Sequence, residues 1–322
     1  MTITFNEFKQ TVRDRLPGML PQGYGDCSIM IEPVTKTLES YTSLCVVREG
    51  TGLCRSVNLD RHYERYLSGV EMDSVIKDIV SEAVQETTDI PLDLSWITDY
   101  DAAKDRLFIR LSGCGNFENI RDCAPYRMLS DMVITYHILI RNDGKNIVSA
   151  MVNNGIALVW GITPRQLHDD AVANSPRIMP GRVETMEDML SGLLGEEYPA
   201  PPKRGKGLMV ITNETGIDGA SALVYPGVME NAAEYFEGSY YVLPSSIHEV
   251  ILMPEGFMTD PIRLNEMIGS INNAVVSPGD RLSYTAYRYD AEEKLFESVG
   301  EYCRRKAASR TEEPGPVSHK GI

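Results

Sequence analysis

The chain has 322 residues, of which 43% are hydrophobic and 24% charged, which is the composition of an ordinary globular protein. Collagen-like, low-complexity and wholly disordered chains are thereby excluded. Its 31 Lys and Arg residues stand against 46 Asp and Glu residues, giving a formal net charge of −15 at pH 7. Because such a field repels phosphate backbones and anionic headgroups, we expect neither nucleic acid nor a membrane surface as a partner.

The N-terminus lacks the basic and then apolar pattern of a signal peptide, and no window approaches the ~18 apolar residues that a membrane span needs. We therefore expect a cytoplasmic protein. The six cysteines include no CxxC pair. If Glu49-Gly50 is the loop of a two-residue hairpin, Cys45 and Cys54 lie opposite each other across it. We expect two reduced thiols there, with a disulfide as the alternative.

Hydrophobic spacing and capping residues predict the elements of the first half in chain order. They are a helix over 5–16, strands over 28–32, 43–47 and 53–57, a helix over 59–67 capped by Asn58, a helix capped by Asp73, a strand over 106–111 and a helix over 116–129. A β-rich stretch follows, with strands over 132–141 and 146–152 around the turn Asn142–Lys145, a strand over 156–160 and a helix opening at Thr163-Pro164.

Residues 181–206 are rich in proline and predict a linker interrupted by a short helix over 185–194. Beyond it the pattern predicts strands over 208–212, 220–225, 240–243, 247–253 and 281–289, a helix over 228–236, a helix opening at Asp260-Pro261 and a final charged helix. In the helix after Pro261, the buried stripe is predicted to hold Leu264, Ile268, Ile271 and Val275. The tail 311–322 is predicted to be disordered.

This order of elements fits neither repeated βαβ units nor a helix bundle. It predicts an α+β protein with mostly antiparallel sheets and helices packed on one face. We expect two associated lobes, an N-terminal one over 1–180 and a C-terminal one over 207–310, joined by the proline-rich linker.

Phosphate-binding loops of the GxGxxG and GxxxxGK[ST] types are absent from the sequence. The segment Gly216–Gly219 leads into a predicted strand, so we interpret it as a hairpin turn. The five histidines are scattered, and we interpret His168-Asp169-Asp170 as a solvated helix face because adjacent helical residues diverge too widely to share an ion. We therefore expect no cofactor and no metal.

The richest polar constellation is Leu243–Val250, between two predicted apolar strands. A hydrolase would use Ser246 or Ser245 as nucleophile, His248 as base and Glu249 as the acid that orients it. Within a strand, however, His248 and Glu249 point to opposite faces, and no GxSxG elbow surrounds the serines. We therefore expect the serines to bond turn backbone and His248 to bond a neighbouring strand.

The chain resembles a domain-of-unknown-function family of uncharacterised bacterial proteins, mostly from anaerobic gut bacteria. The residues that carry the resemblance span about 40–290: Asn58-Leu59-Asp60, Asn153-Asn154-Gly155 with Trp160-Gly161, Asn174, Gly219-Ala220 with Tyr225-Pro226-Gly227, and above all Leu243–Val250. The resemblance implies a bacterial cytosolic setting and carries no established activity.

The leading functional hypothesis is a non-catalytic protein-binding or adaptor module, because no motif unites nucleophile, base and oxyanion donors. The acidic surface favours another protein with a basic surface as the partner. The alternative is a hydrolase around Ser246 and His248, with Asp218 or Glu214 as a further candidate for the acid. The sequence makes no prediction of oligomeric state.

Overall fold

The structure is a computed structural model that describes residues 3–25, 27–35, 40–48, 56–84, 94–142, 147–194, 205–244, 246–258 and 260–312. The chain forms two compact units, Met1–Tyr100 and Asp101–Ile322. The predicted boundary at 181–206 differs from this division. Residues 181–185 of the supposed linker are paired with a strand of the second unit, so this stretch is part of a sheet rather than a connection between lobes.

In the first unit, helices pack against a small antiparallel sheet. The elements are α1 (Phe5–Arg15), β1 (Cys27–Thr35), β2 (Ser40–Arg48), β3 (Val57–Asn58), α2 (Leu59–Leu67) and α3 (Met72–Ala83), with a 3-10 helix over Leu16–Met19 and another over Ser95–Thr98. The sheet order is β1-β2-β3. Its core holds side chains from each of the three helices, including Phe8, Leu59 and Ile76, so the amphipathic faces close on one another.

Caps decide where these helices begin. Thr4 and Glu7 form a capping box for α1, and the Asn58 side chain accepts the N–H groups of Asp60 and Arg61 at the start of α2. The predicted helices over 5–16 and 59–67 are thus confirmed. The predicted cap at Asp73 is wrong, since α3 begins at Met72 after Glu71. The predicted Glu49-Gly50 turn and Cys54 lie outside the described residues.

The second unit opens with a four-stranded antiparallel sheet. Its elements are α4 (Tyr100–Ala103, which starts at the last residue of the first unit), β4 (Leu107–Gly113), α5 (Phe117–Ile120), β5 (Tyr126–Leu129), β6 (Met132–Asn142), β7 (Ile147–Met151), α6 (Asn154–Trp160) and α7 (Pro164–Ile178), with 3-10 helices over Lys104–Arg106 and Cys114–Asn116. The strand β6 pairs with β4, β5 and β7.

The remaining elements build a six-stranded sheet of order β13-β12-β10-β11-β9-β8. They are β8 (Gly181–Thr185), α8 (Met186–Leu194), β9 (Met209–Asn213), α9 (Val228–Phe236), β10 (Tyr240–Leu243), β11 (Val250–Pro254), α10 (Arg263–Val275), β12 (Tyr287–Asp290), β13 (Leu295–Ser298) and α11 (Val299–Glu312), with 3-10 helices over Gly219–Val224, Glu255–Phe257 and Pro278–Asp280. The pairings between described strands are antiparallel, so the predicted α+β class with mostly antiparallel sheets is confirmed.

The outer edge of β4 is closed by side chains instead of a further strand. The N–H of Ile109 donates to Ser175 Oγ of α7 at 3.0 Å, and the N–H of Leu111 donates to Ser221 Oγ at 2.9 Å. All four residues are buried. Two backbone donors that an open edge would leave to solvent are thereby satisfied inside the protein.

Three short apolar runs were assigned the wrong structure. Residues 220–225 and 156–160, predicted as strands, lie in the 3-10 helix Gly219–Val224 and in α6, and the predicted helix over 116–129 is instead α5 followed by β5. In α6 the cause is local, because Asn153 caps the helix through the N–H of Ile156. Short apolar runs carry too few residues to separate the two periodicities.

Two further predictions need correction in the last third of the chain. On α10 the buried stripe holds Leu264, Ile268 and Asn272, whereas Val275 is 79% exposed. In place of the strand predicted over 281–289 there is an isolated bridge at Arg281 and then β12, Tyr287–Asp290. The strand predicted over 247–253 begins at Val250. Within the described ranges, no helix is both long and apolar enough to cross a bilayer.

Candidate functional site

The loop that follows β9 is held by the side chain of its first residue. Asn213 is buried, and its Oδ1 accepts the N–H and the hydroxyl of Thr215 at 3.0 and 2.9 Å. Its Nδ2 donates to the carbonyl of Ile217 at 2.6 Å. Because both ends of the amide are used, residues 213–217 have one conformation that a buried group enforces. We call residues 213–218 the Asn213 loop.

His248 fastens the far end of this loop. The N–H of Asp218 donates to His248 Nδ1 at 3.2 Å, and Thr212 Oγ1 donates to the His248 carbonyl at 2.9 Å. Between them lies Gly219, where an added Cβ would stand 2.5 Å from the His248 carbonyl oxygen. The segments Gly219-Ala220 and Leu243–Val250, which both carried the family resemblance, therefore meet at one point of the fold.

Ser246 and His248, two of the predicted catalytic candidates, lie close together but are not bonded as nucleophile and base. Ser246 Oγ accepts the backbone N–H of His248 at 2.9 Å, so its bond goes to the backbone and not to the imidazole. The His248 ring accepts a backbone N–H at Nδ1, and its Nε2 lies 4.0 Å from Asp280 Oδ2, beyond hydrogen-bond distance. Glu249 is half-buried, and Ser245 lies outside the described residues.

These residues do not lie in a strand, since β11 begins after Glu249 at Val250. Strand alternation therefore does not separate His248 from Glu249, contrary to our expectation. We expected the serine hydroxyls to bond turn backbone, and for Ser245 this stays a prediction. The Ser246 hydroxyl and the His248 imidazole both accept backbone N–H groups. The imidazole of His248 is bonded to a loop N–H, and the neighbouring strand β9 bonds the His248 carbonyl through Thr212.

A cavity of about 400 Å³ opens beside the Asn213 loop. Its lining combines residues of the loop, most of them polar, with apolar residues from β7 and the end of α7. The lining residues include Arg110, Ile147, Ile178, Met179, Pro180 and Ile217. Its volume falls within the range of about 300–1,000 Å³ that is usual for ligand pockets.

Arg110 supplies the positive charge at this cavity, and the loop neutralises it. Arg110 Nε lies 3.1 Å from Asp218 Oδ2, as an ion pair whose N–H does not point at the carboxylate. A second guanidinium nitrogen donates to Ser149 Oγ at 3.3 Å, and the guanidinium lies 5.6 Å from the Phe108 ring centroid. Charge at this site is thus balanced from within the protein.

Sequence reasoning missed Arg110 and Asp280. The signal for Arg110 was present, because it is the lone charge within Leu107–Gly113, a strand in which the other six residues are buried. An arginine there needs a partner or a cavity. Asp280 gave no such signal, since aspartate before a turn is common and its position depends on the 3-10 helix Pro278–Asp280.

Among the described residues, no group of three or more His, Cys, Asp or Glu side chains is arranged to hold a metal ion. The arrangement at the Asn213 loop offers fixed hydrogen-bonding groups, a compensated ion pair and an apolar wall. Such a set can bind and orient a partner group.

Comparison with known proteins gives one match. The model of a family of unknown function, DUF5688, matches residues 5–291. The chain belongs to DUF5688. This confirms the predicted membership of a family without established activity, and the DUF5688 match begins about 35 residues earlier than the span over which we recognised the resemblance. No curated protein and no solved structure is significantly similar to the chain.

Proposed function

We propose that the chain is a non-catalytic protein-binding module that recognises its partner through the Asn213 loop and the cavity beside it. The observation that carries the proposal is a contrast within one loop. Asn213 is buried and fully bonded, while Ile217, four residues later, is 58% exposed. A pre-ordered loop that exposes an apolar side chain loses little conformational entropy on binding.

The surroundings of Ile217 favour a protein partner. Glu214, Thr215 and Gly216 are exposed beside it, so an apolar centre is edged by polar and acidic groups. This is the usual order of a protein interface, with an apolar anchor inside a polar rim. Since the chain carries a formal net charge of −15, a partner with a basic surface is favoured electrostatically.

The proximity of His248 Nε2 to Asp280, at 4.0 Å, keeps a hydrolase around Ser246 and His248 as the second candidate. Two contacts count against it. A general base must accept the nucleophile's proton, but Nδ1 of His248 already accepts the Asp218 N–H. Ser246 Oγ accepts the backbone N–H of His248 and makes no bond to the imidazole.

Photo-crosslinking from Ile217 tests the binding proposal. A benzoylphenylalanine would be placed at position 217 in cells that naturally produce the chain, with position 275 on α10 as a matched control because Val275 is also apolar and exposed. We expect a discrete protein adduct from position 217 only. Ile217→Glu should abolish co-purification of that partner, and Val275→Glu should not. Equal adducts from both positions, or none from position 217, would contradict the proposal.

A fluorophosphonate probe separates the two candidates. If the chain is a binding module, the probe should label wild type and Ser246→Ala to the same extent. Stoichiometric labelling of wild type that disappears in Ser246→Ala and in His248→Ala, with both variants folded, would establish the hydrolase instead.

A further inference from the structure

A second cavity, of about 530 Å³, lies beside α7 in the same unit and is independent of the Asn213 loop. Its lining contains two arginines, a histidine and a tyrosine among seven residues: Tyr126, Arg127, Tyr136, Pro164, Arg165, His168 and Asp169. In a chain with a formal net charge of −15, a cavity with two guanidinium groups and one carboxylate is an exception that needs a reason.

His168 is half-buried against Tyr136, whereas Asp169, the next residue of the helix face that we interpreted as solvated, is exposed. The His168 Nδ1 lies 3.2 Å from the hydroxyl of Tyr136, and the two rings meet edge to face with centroids 6.0 Å apart. Burial and the charge of Arg127 lower the pKa of His168, so the ring is neutral at pH 7. The proton that a neutral imidazole carries then lies on one of two nitrogens.

Tyr136 is bonded to one of these two nitrogens, Nδ1. Burial raises the pKa of Tyr136 to about 12, so its hydroxyl stays protonated at neutral pH. In the tautomer in which that hydroxyl donates to Nδ1 of His168, the ring N–H lies at Nε2. In that tautomer the Tyr136–His168 pair offers a neutral N–H donor at the cavity.

The two arginines differ in how their charge is used. Arg165 lies 3.5 Å from Asp169 one helical turn along α7, and both side chains are largely exposed. Arg127, on β5, has no carboxylate within ion-pair distance in the part of the chain that the structure describes. Its charge nevertheless acts on both Tyr136 and His168, so the guanidinium is close to this pair. The N-terminal turn of α7 at Pro164 adds the positive end of a helix dipole to the same cavity.

We propose that the cavity of Arg127, Tyr136 and His168 binds a small organic anion, whose carboxylate or phosphate accepts hydrogen bonds from Arg127 and the imidazole N–H. An uncompensated guanidinium next to a neutral donor recognises an anionic oxygen through charge-assisted hydrogen bonds. The volume of about 530 Å³ exceeds that of the anionic group alone and accommodates an organic body as well.

Calorimetric titration with three related probes tests this. Phenyl phosphate and benzoate carry the two candidate anionic groups on one ring, and benzamide is the neutral counterpart. We expect saturable binding of at least one anion at one site per chain and no saturable binding of benzamide. Tighter binding of phenyl phosphate assigns the site to phosphate monoesters, and tighter binding of benzoate assigns it to carboxylates.

Matched arginine variants locate the site. Arg127→Gln should weaken anion binding about tenfold, because one charge-assisted hydrogen bond is lost. Arg121→Gln is the control, since Arg121 is an exposed arginine of the same unit that is paired with Glu118 and Asp122 outside the cavity. Both variants should keep the wild-type melting temperature. The proposal is overturned if neither anion binds, if benzamide binds as tightly, or if both variants weaken binding equally.

Discussion

Both cavities of the second unit are lined by an arginine, and they differ in the charged groups that accompany it. Each arginine also acts on a histidine that is bonded to a hydroxyl. Arg110 acts on His137, which is bonded to Thr135 behind the first cavity's lining, and Arg127 acts on His168, which is bonded to Tyr136 in the lining of the second. In the first cavity Asp218 neutralises the guanidinium, whereas in the second the structure describes no carboxylate that does so. The difference teaches that an arginine alone does not define an anion site. An arginine can bind an anion when no carboxylate of the protein already neutralises its charge.

Both arrangements derive from successive residues of β6. Thr135 lies opposite Arg110 in the β4 ladder, and Tyr136 is its neighbour along the strand. Because side chains alternate along a strand, the side chains of Arg110 and Tyr136 point to opposite faces of the sheet. A single strand thus supplies the ladder partner of Arg110, which lines the first cavity, and Tyr136, which lines the second.

The largest effect is expected at Gly219, directly after the Asn213 loop that lines the first cavity. In Gly219→Ala the new Cβ would lie 2.5 Å from both the His248 carbonyl oxygen and Thr212 Oγ1, so backbone must move. We expect the free energy of unfolding to fall by about 3 kcal/mol. Urea denaturation measures it, with Gly192→Ala in α8 as the control, since nothing lies within 4 Å of a Cβ there. Equal stability of the two variants would refute the close approach.

The second effect is a pH dependence. Burial, with a smaller contribution from Arg110, holds the pKa of His137 well below 6.5. As pH falls below about 6.5 the unfolded chain takes up the proton first, so stability is full above that pH and is lost below it, with a slope of at most about 1.4 kcal/mol per pH unit. Denaturation between pH 7 and 5 should show a shallower slope for His137→Gln than for wild type. Parallel slopes would assign the loss to other groups.

The third prediction concerns the charge that neutralises Arg110 in the first cavity. Asp218→Asn removes the charge that neutralises Arg110 and keeps the backbone N–H that His248 accepts. We expect a loss of about 1 kcal/mol in stability and a second site for phenyl phosphate, so that the stoichiometry rises from one to two. Glu214→Gln is the control because it removes an equal charge from the same loop. An unchanged stoichiometry would break the comparison between the cavities.

The smallest stability effect belongs to the second cavity. Arg127 is exposed and makes no ion pair with any residue that the structure describes, so Arg127→Gln should change the free energy of unfolding by less than about 0.5 kcal/mol. Chemical denaturation checks this alongside the binding titration. A larger loss would mean that the guanidinium supports the fold, and its role in ligand binding would need a variant that keeps that support.

The helices at Asn58 and Thr163 were predictable because a capping residue marks where each of them begins. Asn58 and Thr163 cap helices in the structure through bonds to the next turn, as their residue types indicate. The run 220–225 failed because its conformation depends on Gly219 fitting under the His248 carbonyl, a contact between residues 29 apart. No local pattern reports such a contact.

The candidate sites were predictable to a similar extent. The motif Leu243–Val250 lies beside the Asn213 loop, but its contacts there are made by Asp218 and Thr212, which approach it only in the folded chain. The Tyr136–His168 pair was missed altogether. It joins a strand and a helix 32 residues apart, and a histidine followed by two aspartates suggests a solvated surface when the sequence is considered alone.

The serines that close β4 have a consequence for assembly. An exposed strand edge is a template on which another chain can polymerise. Ser175 and Ser221 accept the N–H groups of Ile109 and Leu111, so these donors are not available to a strand of another chain. The two hydroxyls thereby prevent the sheet from being extended at β4.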